Sequence, residues 1–255
     1  MRYAFIVPEA HLEVAALSHS HLVLTTYYMK SAKYRAFYKA MRERGDFLLL
    51  DNSIHEYDYQ RSDGWDVLEP IMLDLKPDVV AMPETDWFDS DLLVDNLNWI
   101  ADFKDVNDQA TEFLFVPRST FVNETIDELH LLLDEDPDQT YVKWLGIHKD
   151  MERIAQGNIG GRAALLSILA DEFAPFKLWM FGSYKSPTEE AKTYKHHPQV
   201  FGNDSSKPWR LASEGRQLNE DKPYPPDFDF DQTISDSRLW YVQEQFKKFL
   251  RFCHG

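Results

Sequence analysis

A carboxylate that could attack an electrophilic carbon stands at Asp204, within the stretch Gln199–Arg210. The apolar run before it ends at Gly202, a pattern typical of a buried strand that delivers a reactive acid to a loop. Glycine lets a ligand approach the backbone closely, and the hydroxyls of Ser205 and Ser206 can hydrogen-bond a carboxylate or a sugar. Because Asn-Asp-Ser-Ser is also ordinary turn chemistry, this stretch alone does not identify a site.

A second stretch of the same design, Phe47–Glu56, places Asp51 and Asn52 directly after an apolar run. Elsewhere, three polar side chains and two glycines stand at or near the ends of other short apolar runs. Together they could supply charge, hydrogen bonds and room for a ligand. These five residues are Glu84, Arg118, Gly146, His148 and Gly182.

The order of the predicted elements says where these residues lie. Eight short runs of near-continuous hydrophobicity, separated mostly by segments with helical spacing, are typical of a parallel sheet covered on both faces. The predicted strands are Arg2–Val7, Leu22–Thr26, Phe47–Leu50, Val79–Met82, Glu112–Val116, Tyr141–Ile147, Phe176–Phe181 and Val200–Gly202. The predicted helices are Glu9–Leu17, Lys30–Arg44, Asp66–Leu75, Ser90–Phe103, Asn123–Asp134, Gly161–Phe173, Thr188–Tyr194 and Ser237–Phe252.

Two architectures fit this alternation: a closed β/α barrel and an open doubly wound sheet. The open sheet lacks its usual fingerprint, because no Gly-x-Gly-x-x-Gly follows the first strand. The 255 residues are also close to the roughly 250 typical of an eight-stranded barrel. We therefore predict an α/β fold, a (β/α)8 TIM-type barrel, as a single domain over residues 1–255.

In such a barrel the active site lies at the carboxyl ends of the strands. Asp51, Glu84 and Asp204 would then converge in one pocket, with Arg118 and His148 beside them. Taken singly, Asp51 is better explained as a strand-end turn residue, and Glu84 and Arg118 as a salt-bridged rim. Three acids together are hard to explain by stability, because buried like charges raise each other's pKa.

Composition excludes several classes of protein. The hydrophobic share of 44% and aromatic share of 14% fit a folded globular chain, and no apolar run approaches the roughly 20 residues that span a bilayer. The single Cys253 excludes an internal disulfide and a zinc site built from several cysteines. No histidine pair stands at a strand end. We predict a cytoplasmic protein with no membrane association, no metal and no cofactor.

The net charge of −16 argues against non-specific coating of nucleic acid, which depends on lysine and arginine contacts to phosphate. A nucleic-acid partner must therefore meet a local basic patch. Met29–Gly45 and Lys185–Arg210 are the two candidates, and the second surrounds Asp204 in sequence. The cations predicted to bind nucleic acid are Lys185, Lys192, Lys195, Lys207 and Arg210.

Six strand-end motifs resemble, in order and spacing, those of the guanine transglycosylases. The likeness is strongest to the compact phage-type enzymes that place 7-deazaguanines into DNA, which are relatives of tRNA-guanine transglycosylase. It runs from about Phe47 to Trp209, and Asp51-Asn52 and Asp204-Ser205-Ser206 are its specific motifs. The six motifs are Leu50-Asp51-Asn52-Ser53-Ile54-His55-Glu56, Met82-Pro83-Glu84, Phe115-Val116-Pro117-Arg118, Leu145-Gly146-Ile147-His148, Trp179-Met180-Phe181-Gly182 and Asn203-Asp204-Ser205-Ser206.

The resemblance implies a pentosyltransferase in which Asp204 attacks the sugar, expels guanine and forms a covalent aspartyl ester, while Asp51 transfers protons. It implies that Glu84 faces the N1 and 2-amino edge of the base and that Gly146 and Gly182 lie against the heterocycle. The partners would be DNA, with tRNA less favoured, and a free 7-deazaguanine such as 7-cyano-7-deazaguanine. A phage-encoded enzyme of this kind would act in the host cytoplasm.

Two positions depart from the family: Glu84 stands where Asp is frequent, and Arg118 where Gln is common, so Arg118 is left with either a base or a phosphate as its partner. The zinc-binding cysteine and histidine set of the bacterial tRNA enzymes is absent. Two other functions stay open. One is a nucleoside or glycoside hydrolase that uses Asp204 and Asp51 with water, and the other is a non-catalytic accessory subunit.

Overall fold

Eight apolar segments form strands that all run parallel, and their hydrogen-bonded order is β1-β8-β7-β6-β5-β4-β3-β2. The computed structural model describes residues 1–53, 64–84, 88–107, 110–119, 121–150, 161–224 and 228–254. Beside β2, the Ser18 hydroxyl donates to the Tyr3 carbonyl of β1 at 2.5 Å, so the sheet is a nearly closed barrel. The strands are β1 Arg2–Phe5, β2 Ser20–Leu24, β3 Phe47–Asp51, β4 Val79–Ala81, β5 Glu112–Phe115, β6 Val142–His148, β7 Lys177–Phe181 and β8 Val200–Ser205.

Helices alternate with the strands and cover the barrel. Several begin at a side-chain cap: Ser31 accepts from the Tyr34 amide, and Asp89 accepts from two amides of the first turn. No helix within the described ranges is long and apolar enough to cross a membrane. The helices are a one-turn 3-10 helix Glu9–His11, then α1 Leu12–Ala15, α2 Thr25–Lys30, α3 Ala32–Glu43, α4 Gly64–Leu75, α5 Ser90–Val106, α6 Val122–Glu135, α7 Gly161–Glu172, α8 Pro187–Tyr194, α9 Lys207–Ser213 and α10 Asp236–His254.

The predicted (β/α)8 TIM-type barrel is confirmed, and all eight predicted strands are present. Two helices were not predicted, α2 and α9. The difference that bears on Asp204 lies in β8, which continues past its predicted end at Gly202 to Ser205. Asp204 is therefore held within a strand rather than in the following loop. Pro208 lies in the first turn of α9, where a residue without an N–H is well tolerated.

Aromatic side chains fill the amino-terminal half of the barrel interior. The ring of Phe201 lies 4.7 Å from that of Trp144 and 5.0 Å from that of Phe47, and Phe47 lies 5.7 Å from Trp179. The Arg2 guanidinium packs over this group, 4.6 Å from the Phe201 ring centre. The interior is thus a packed floor, and a ligand can enter only from the carboxyl ends of the strands.

A charged cluster joins the amino ends of β2 and β3. The buried Asp46 carboxylate accepts hydrogen bonds from His19 and His21, each at 2.8 Å, and from the guanidinium of Arg44. Burial alone would raise the pKa of Asp46, but these hydrogen bonds hold it well below its usual range. The cluster therefore stabilises the fold while Asp46 is ionised.

Replacing Asp46 by alanine is expected to lower the free energy of unfolding by about 2–3 kcal/mol at pH 7, because charge-assisted hydrogen bonds are lost. Since the pKa of Asp46 is depressed in the folded state, this stabilisation is present above the ordinary aspartate pKa and fades as the pH falls below about 4. Urea unfolding at neutral and acid pH measures it. The more exposed Asp74→Asn is the control, with an expected loss under about 1 kcal/mol; equal losses in both variants would contradict the prediction.

Candidate active site

Asp204 is the buried acid at the carboxyl end of β8. Its Oδ1 accepts a hydrogen bond from Nε1 of Trp179 on β7 at 2.8 Å, and the Gly182 amide donates to the same carboxylate. The indole fits because residue 202 is glycine: a Cβ there would lie 2.2 Å from the Trp179 ring. Gly202 thus makes room for Trp179, and Trp179 fixes the carboxylate.

Asp204 is only 3% exposed, and this burial raises the pKa of its carboxyl group to about 6. The hydrogen bonds from Trp179 and Gly182 oppose the rise, as do the positive charges of Arg162 and Lys149. At neutral pH the group is therefore mostly ionised, yet it is poorly solvated. A desolvated carboxylate held by two donors on one side can act as a nucleophile towards a ligand on the other.

Asp51 stands at the carboxyl end of β3, at the start of a tight turn. Its Oδ2 accepts a hydrogen bond from the Ser53 amide at 3.2 Å, and its carbonyl accepts from the Thr25 hydroxyl at 2.5 Å. Ser53 has φ of +55°, a conformation that costs energy for a residue other than glycine. The turn holds Asp51 half-buried at the barrel mouth; Ile54, His55 and Glu56 of the same motif lie outside the described residues.

Glu84 and Arg118 form an ion pair at the ends of β4 and β5, with Arg118 Nη1 3.1 Å from Glu84 Oε1. Asn52 reaches the same place, donating to the Glu84 carboxylate and, at 2.7 Å, to the Met82 carbonyl. Burial raises the pKa of Glu84 to about 7, although Arg118 and Asn52 pull it down. The structure thus brings together three residues that were predicted to bind substrate.

Two atoms of this ion pair are buried and have no hydrogen-bond partner within the described part of the chain: Glu84 Oε2 and Arg118 Nε. A buried polar group without a partner costs free energy, so such atoms call for a ligand or a water. The pair also borders a pocket between β4, β5 and α5, whose other lining residues are Met82, Pro83, Phe88, Asp89, Leu92, Leu93, Asn96, Phe115 and Val116. An ion pair with one unpartnered acceptor and one unpartnered donor thus lies at the edge of a mostly apolar pocket.

Glu128 of α6 holds Arg118 in place. Its two carboxylate oxygens accept from the amides of Arg118 and Ser119 at 2.7 and 2.8 Å, so the segment after β5 cannot shift. Sequence reasoning did not find Glu128, because an acid in a polar helix gives no sign of which backbone it will meet. Its effect is to hold the backbone from which the Arg118 side chain reaches Glu84.

His148 ends β6, and its Nδ1 lies 3.2 Å from Oδ2 of Asp150. The Asp150 amide also donates to this ring nitrogen at 3.4 Å, so Asp150 orients the imidazole. Gly146, two residues earlier on the same face of the strand, is closely packed: a Cβ there would lie 2.4 Å from the Phe181 ring. Phe181 thus fills the space that was predicted to be open to a ligand.

Gly182 follows β7 with φ of +64°, and a Cβ would lie 2.8 Å from Cδ of Lys149. The space above this glycine is thus covered by Lys149, which sequence reasoning missed although it stands beside His148. Ser205, adjacent to Asp204 in β8, points to the opposite face and accepts from the Lys207 amide at 3.0 Å. Ser206 follows the strand, directly before α9.

The five cations predicted to bind nucleic acid do not form one surface. Helix α8 returns from the carboxyl end of β7 towards the amino end of β8, so Lys192 and Lys195 lie away from the barrel mouth. Lys195 donates to the Phe252 carbonyl near the end of α10 at 3.2 Å. Lys185, between β7 and α8, stays near the mouth and is partly exposed.

Lys207 is buried, contrary to a role as a surface contact. Its Nζ donates to the Tyr184 carbonyl at 2.9 Å and to Asp221 Oδ1 at 2.8 Å, because a buried ammonium needs such partners. The Arg210 guanidinium packs over the rings of Tyr224 and Phe228. These two residues tie the segment after α9 to the barrel, so the basic stretch Lys185–Arg210 does not form one continuous basic surface.

Among the described residues, no group of three His, Cys, Asp or Glu side chains could hold a metal ion.

No protein-family model and no curated protein matches the sequence. Solved structures do match in fold. Active domain 2 of a thermostable chitinase from Pyrococcus furiosus, a catalytic-site mutant complexed with chito-oligosaccharides, aligns over 98% of this chain and 94% of its own, with 12% identity and a TM-score of 0.56. A protein proposed to be a dihydrodipicolinate synthetase from Pseudomonas aeruginosa aligns over 98% and 99%, with 8% identity and a TM-score of 0.51. At these identities the likeness is one of fold.

Proposed function

We propose that this protein is a base-exchange transglycosylase that replaces guanine in DNA with a 7-deazaguanine through a covalent bond between Asp204 and the sugar. The observation that carries the proposal is the Asp204 carboxylate, buried, mostly ionised at neutral pH and fixed by Trp179 and Gly182 at the barrel mouth. The strand-end motifs that resemble guanine transglycosylases give it the same role.

Asp51 and Asp204 lie at the same end of the barrel, so one nucleoside can face both. They lie at the ends of β3 and β8, with β1 and β2 in between, which is three strand spacings or roughly 14 Å along the barrel wall. The packed aromatic floor keeps a ligand at the level of both carboxylates. A sugar held against Asp204 would leave room for its base on the side of Asp51 and Glu84.

The exchange would proceed in two displacements. The Asp204 carboxylate attacks C1′ of the target nucleotide, an ester bond forms, and the C1′–N9 bond breaks; guanine leaves with that electron pair and takes a proton from Asp51. An incoming base then gives its N9 proton to Asp51 and attacks C1′, which breaks the ester and restores Asp204. Two inversions retain the configuration at the sugar, and no proton is lost or gained overall.

The ion pair would read the base. Glu84 Oε2 accepts and Arg118 Nε donates, and both lack partners within the described residues. A lactam edge such as N1–H and O6 of guanine offers the complementary donor and acceptor. Arginine has no acceptor, so an amino group in place of O6 would face a second donor and be rejected. The target nucleotide must leave the base stack to reach this pocket.

The test is incubation of the protein with duplex DNA and labelled 7-deazaguanine bases, followed by nuclease digestion and mass analysis of the nucleosides. Incorporation into DNA, with tRNA inert in parallel, is the expected result. Release of guanine without incorporation would instead support a hydrolase. If guanine is not released from either polymer and no label is incorporated into either, the proposal is overturned.

A further inference from the structure

Arg162, the second residue of α7, is completely buried although it carries a charge. Its guanidinium donates to three carbonyls at the ends of β6 and β7: Ile147 at 2.9 Å, Gly182 at 3.2 Å and Phe181 at 3.3 Å. Burying a cation is costly unless it is well paired, and these three acceptors offset part of that cost.

Its counter-ion is Glu190 of α8, which is equally buried, with Arg162 Nη1 3.4 Å from Glu190 Oε2. The other oxygen of Glu190 accepts from the amides of Tyr184 and Lys185, both at 3.0 Å. The pair thus holds segment 182–185 at two places. Arg162 binds the Gly182 carbonyl, and Glu190 binds the amides of Tyr184 and Lys185. Gly182, which donates to Asp204, is the first residue of that segment.

We propose that the Arg162–Glu190 pair positions the nucleophile: it fixes the Gly182 amide where it donates to the Asp204 carboxylate. The inference deepens the proposed function, since it concerns the residue to which that function assigns the attack. Arg162 does not contact the substrate. It acts on the Asp204 carboxylate through the Gly182 amide and through its own positive charge.

Charge gives the pair a second effect on Asp204. The groups that face this carboxylate are Tyr3 from β1, Lys149 after β6, Trp179 and Gly182 from β7, and Arg162 from α7. Arg162 and Lys149 are the positive charges among them, and both lower the pKa of Asp204. Loss of Arg162 would therefore favour protonation of the nucleophile.

The experiment follows Asp204 without any catalysis. Because Trp179 Nε1 donates to Asp204, the indole N–H signal of Trp179 in a 1H–15N spectrum should titrate with that carboxyl group. The chain has seven tryptophans, so Trp179→Phe identifies the signal. We expect a midpoint near 6 in the native protein and an upward shift of about one unit in Arg162→Met.

Two further variants separate positioning from general damage. Glu190→Ala keeps the charge of Arg162 but removes the carboxylate that holds the Tyr184 and Lys185 amides, so the midpoint should rise if the pair positions Gly182 and should stay or fall if Arg162 acts by charge alone. Leu169→Ala, which removes a buried side chain on the same helix, should lower stability without moving the midpoint. An unchanged midpoint in Arg162→Met, or in Arg162→Lys if the first variant does not fold, would overturn the inference.

Activity gives a separate readout. In Arg162→Met, a one-unit shift would reduce base exchange about threefold more at pH 6.5 than at pH 8.5, because less Asp204 is ionised at the lower pH. If the midpoint shifts in Arg162→Met but the native protein performs no base exchange, the positioning role is upheld and the proposed function is overturned. The two failures are thus distinguishable.

Discussion

Replacing Asp204 by asparagine is expected to reduce base exchange by at least about a thousandfold, because the side chain keeps its shape but loses its nucleophilic oxygen. The native protein, incubated with DNA and no incoming base, should form a protein–DNA adduct that survives denaturing electrophoresis. The variant should form none. Asp51→Asn is the matched control: it should slow exchange but still allow some adduct, since it removes proton transfer and not attack.

Asp204→Asn should also make the fold more stable at neutral pH. Burial raises the folded-state pKa of Asp204 from 3.8 to about 6, so ionisation costs the folded protein stability as the pH rises between these values, and the cost stays constant above them. The upper limit is about 3 kcal/mol, from roughly two pKa units. Denaturant unfolding of both proteins at pH 4 and pH 8 measures it. A variant that is no more stable at pH 8 would show that the carboxylate is well solvated.

Replacing Glu84 by glutamine is expected to weaken binding of a free guanine-type base by about 10- to 100-fold, because charge-assisted hydrogen bonds are lost. Since the pKa of Glu84 is raised to about 7 and the base needs the ionised form, affinity should increase as the pH rises to 7 and level off above it. In Glu84→Gln this dependence should vanish. Calorimetric titration in the Asp204→Asn background removes the chemistry and the titration of Asp204 from the measurement.

Arg118→Gln provides the control for this site. It removes a positive charge beside Glu84, so the pH at which affinity levels off should move upward while the base still binds. Glutamine can present either an amide N–H or a carbonyl, so discrimination against bases with an amino group in place of O6 should weaken. Unchanged pH dependence in both variants would show that Glu84 does not contact the base.

The barrel and its strand ends could be predicted because the information is local. Each apolar run fixes a strand, and the polar residue after it must then lie at the carboxyl face with the others. That reasoning placed Asp51, Glu84, Arg118, His148 and Asp204 at one end of the barrel, as the structure has them. It requires no knowledge of contacts between distant segments.

What could not be predicted depends on such contacts. Arg162 and Glu190 meet across 28 positions of the chain, and each binds backbone groups that sequence patterns do not reveal. Lys207 was expected at the surface, where lysine usually lies, but Asp221 and a carbonyl allow it to be buried. A basic stretch is therefore a poor guide to a basic surface. One sign was present for Arg162: it is a single cation in an otherwise apolar helix segment.

The aromatic floor of the barrel has a consequence for how this protein can change over evolution. Trp179 packs in that floor and also donates a hydrogen bond to Asp204. Its position depends on the neighbouring Phe47 ring and on the absence of a Cβ at Gly202. Substitutions deep in the floor would tilt the indole and disturb the nucleophile from a distance. Substitutions in the barrel interior are therefore constrained by the need to hold Asp204 in place. Residues of the outer helices that do not contact the site are free of this constraint.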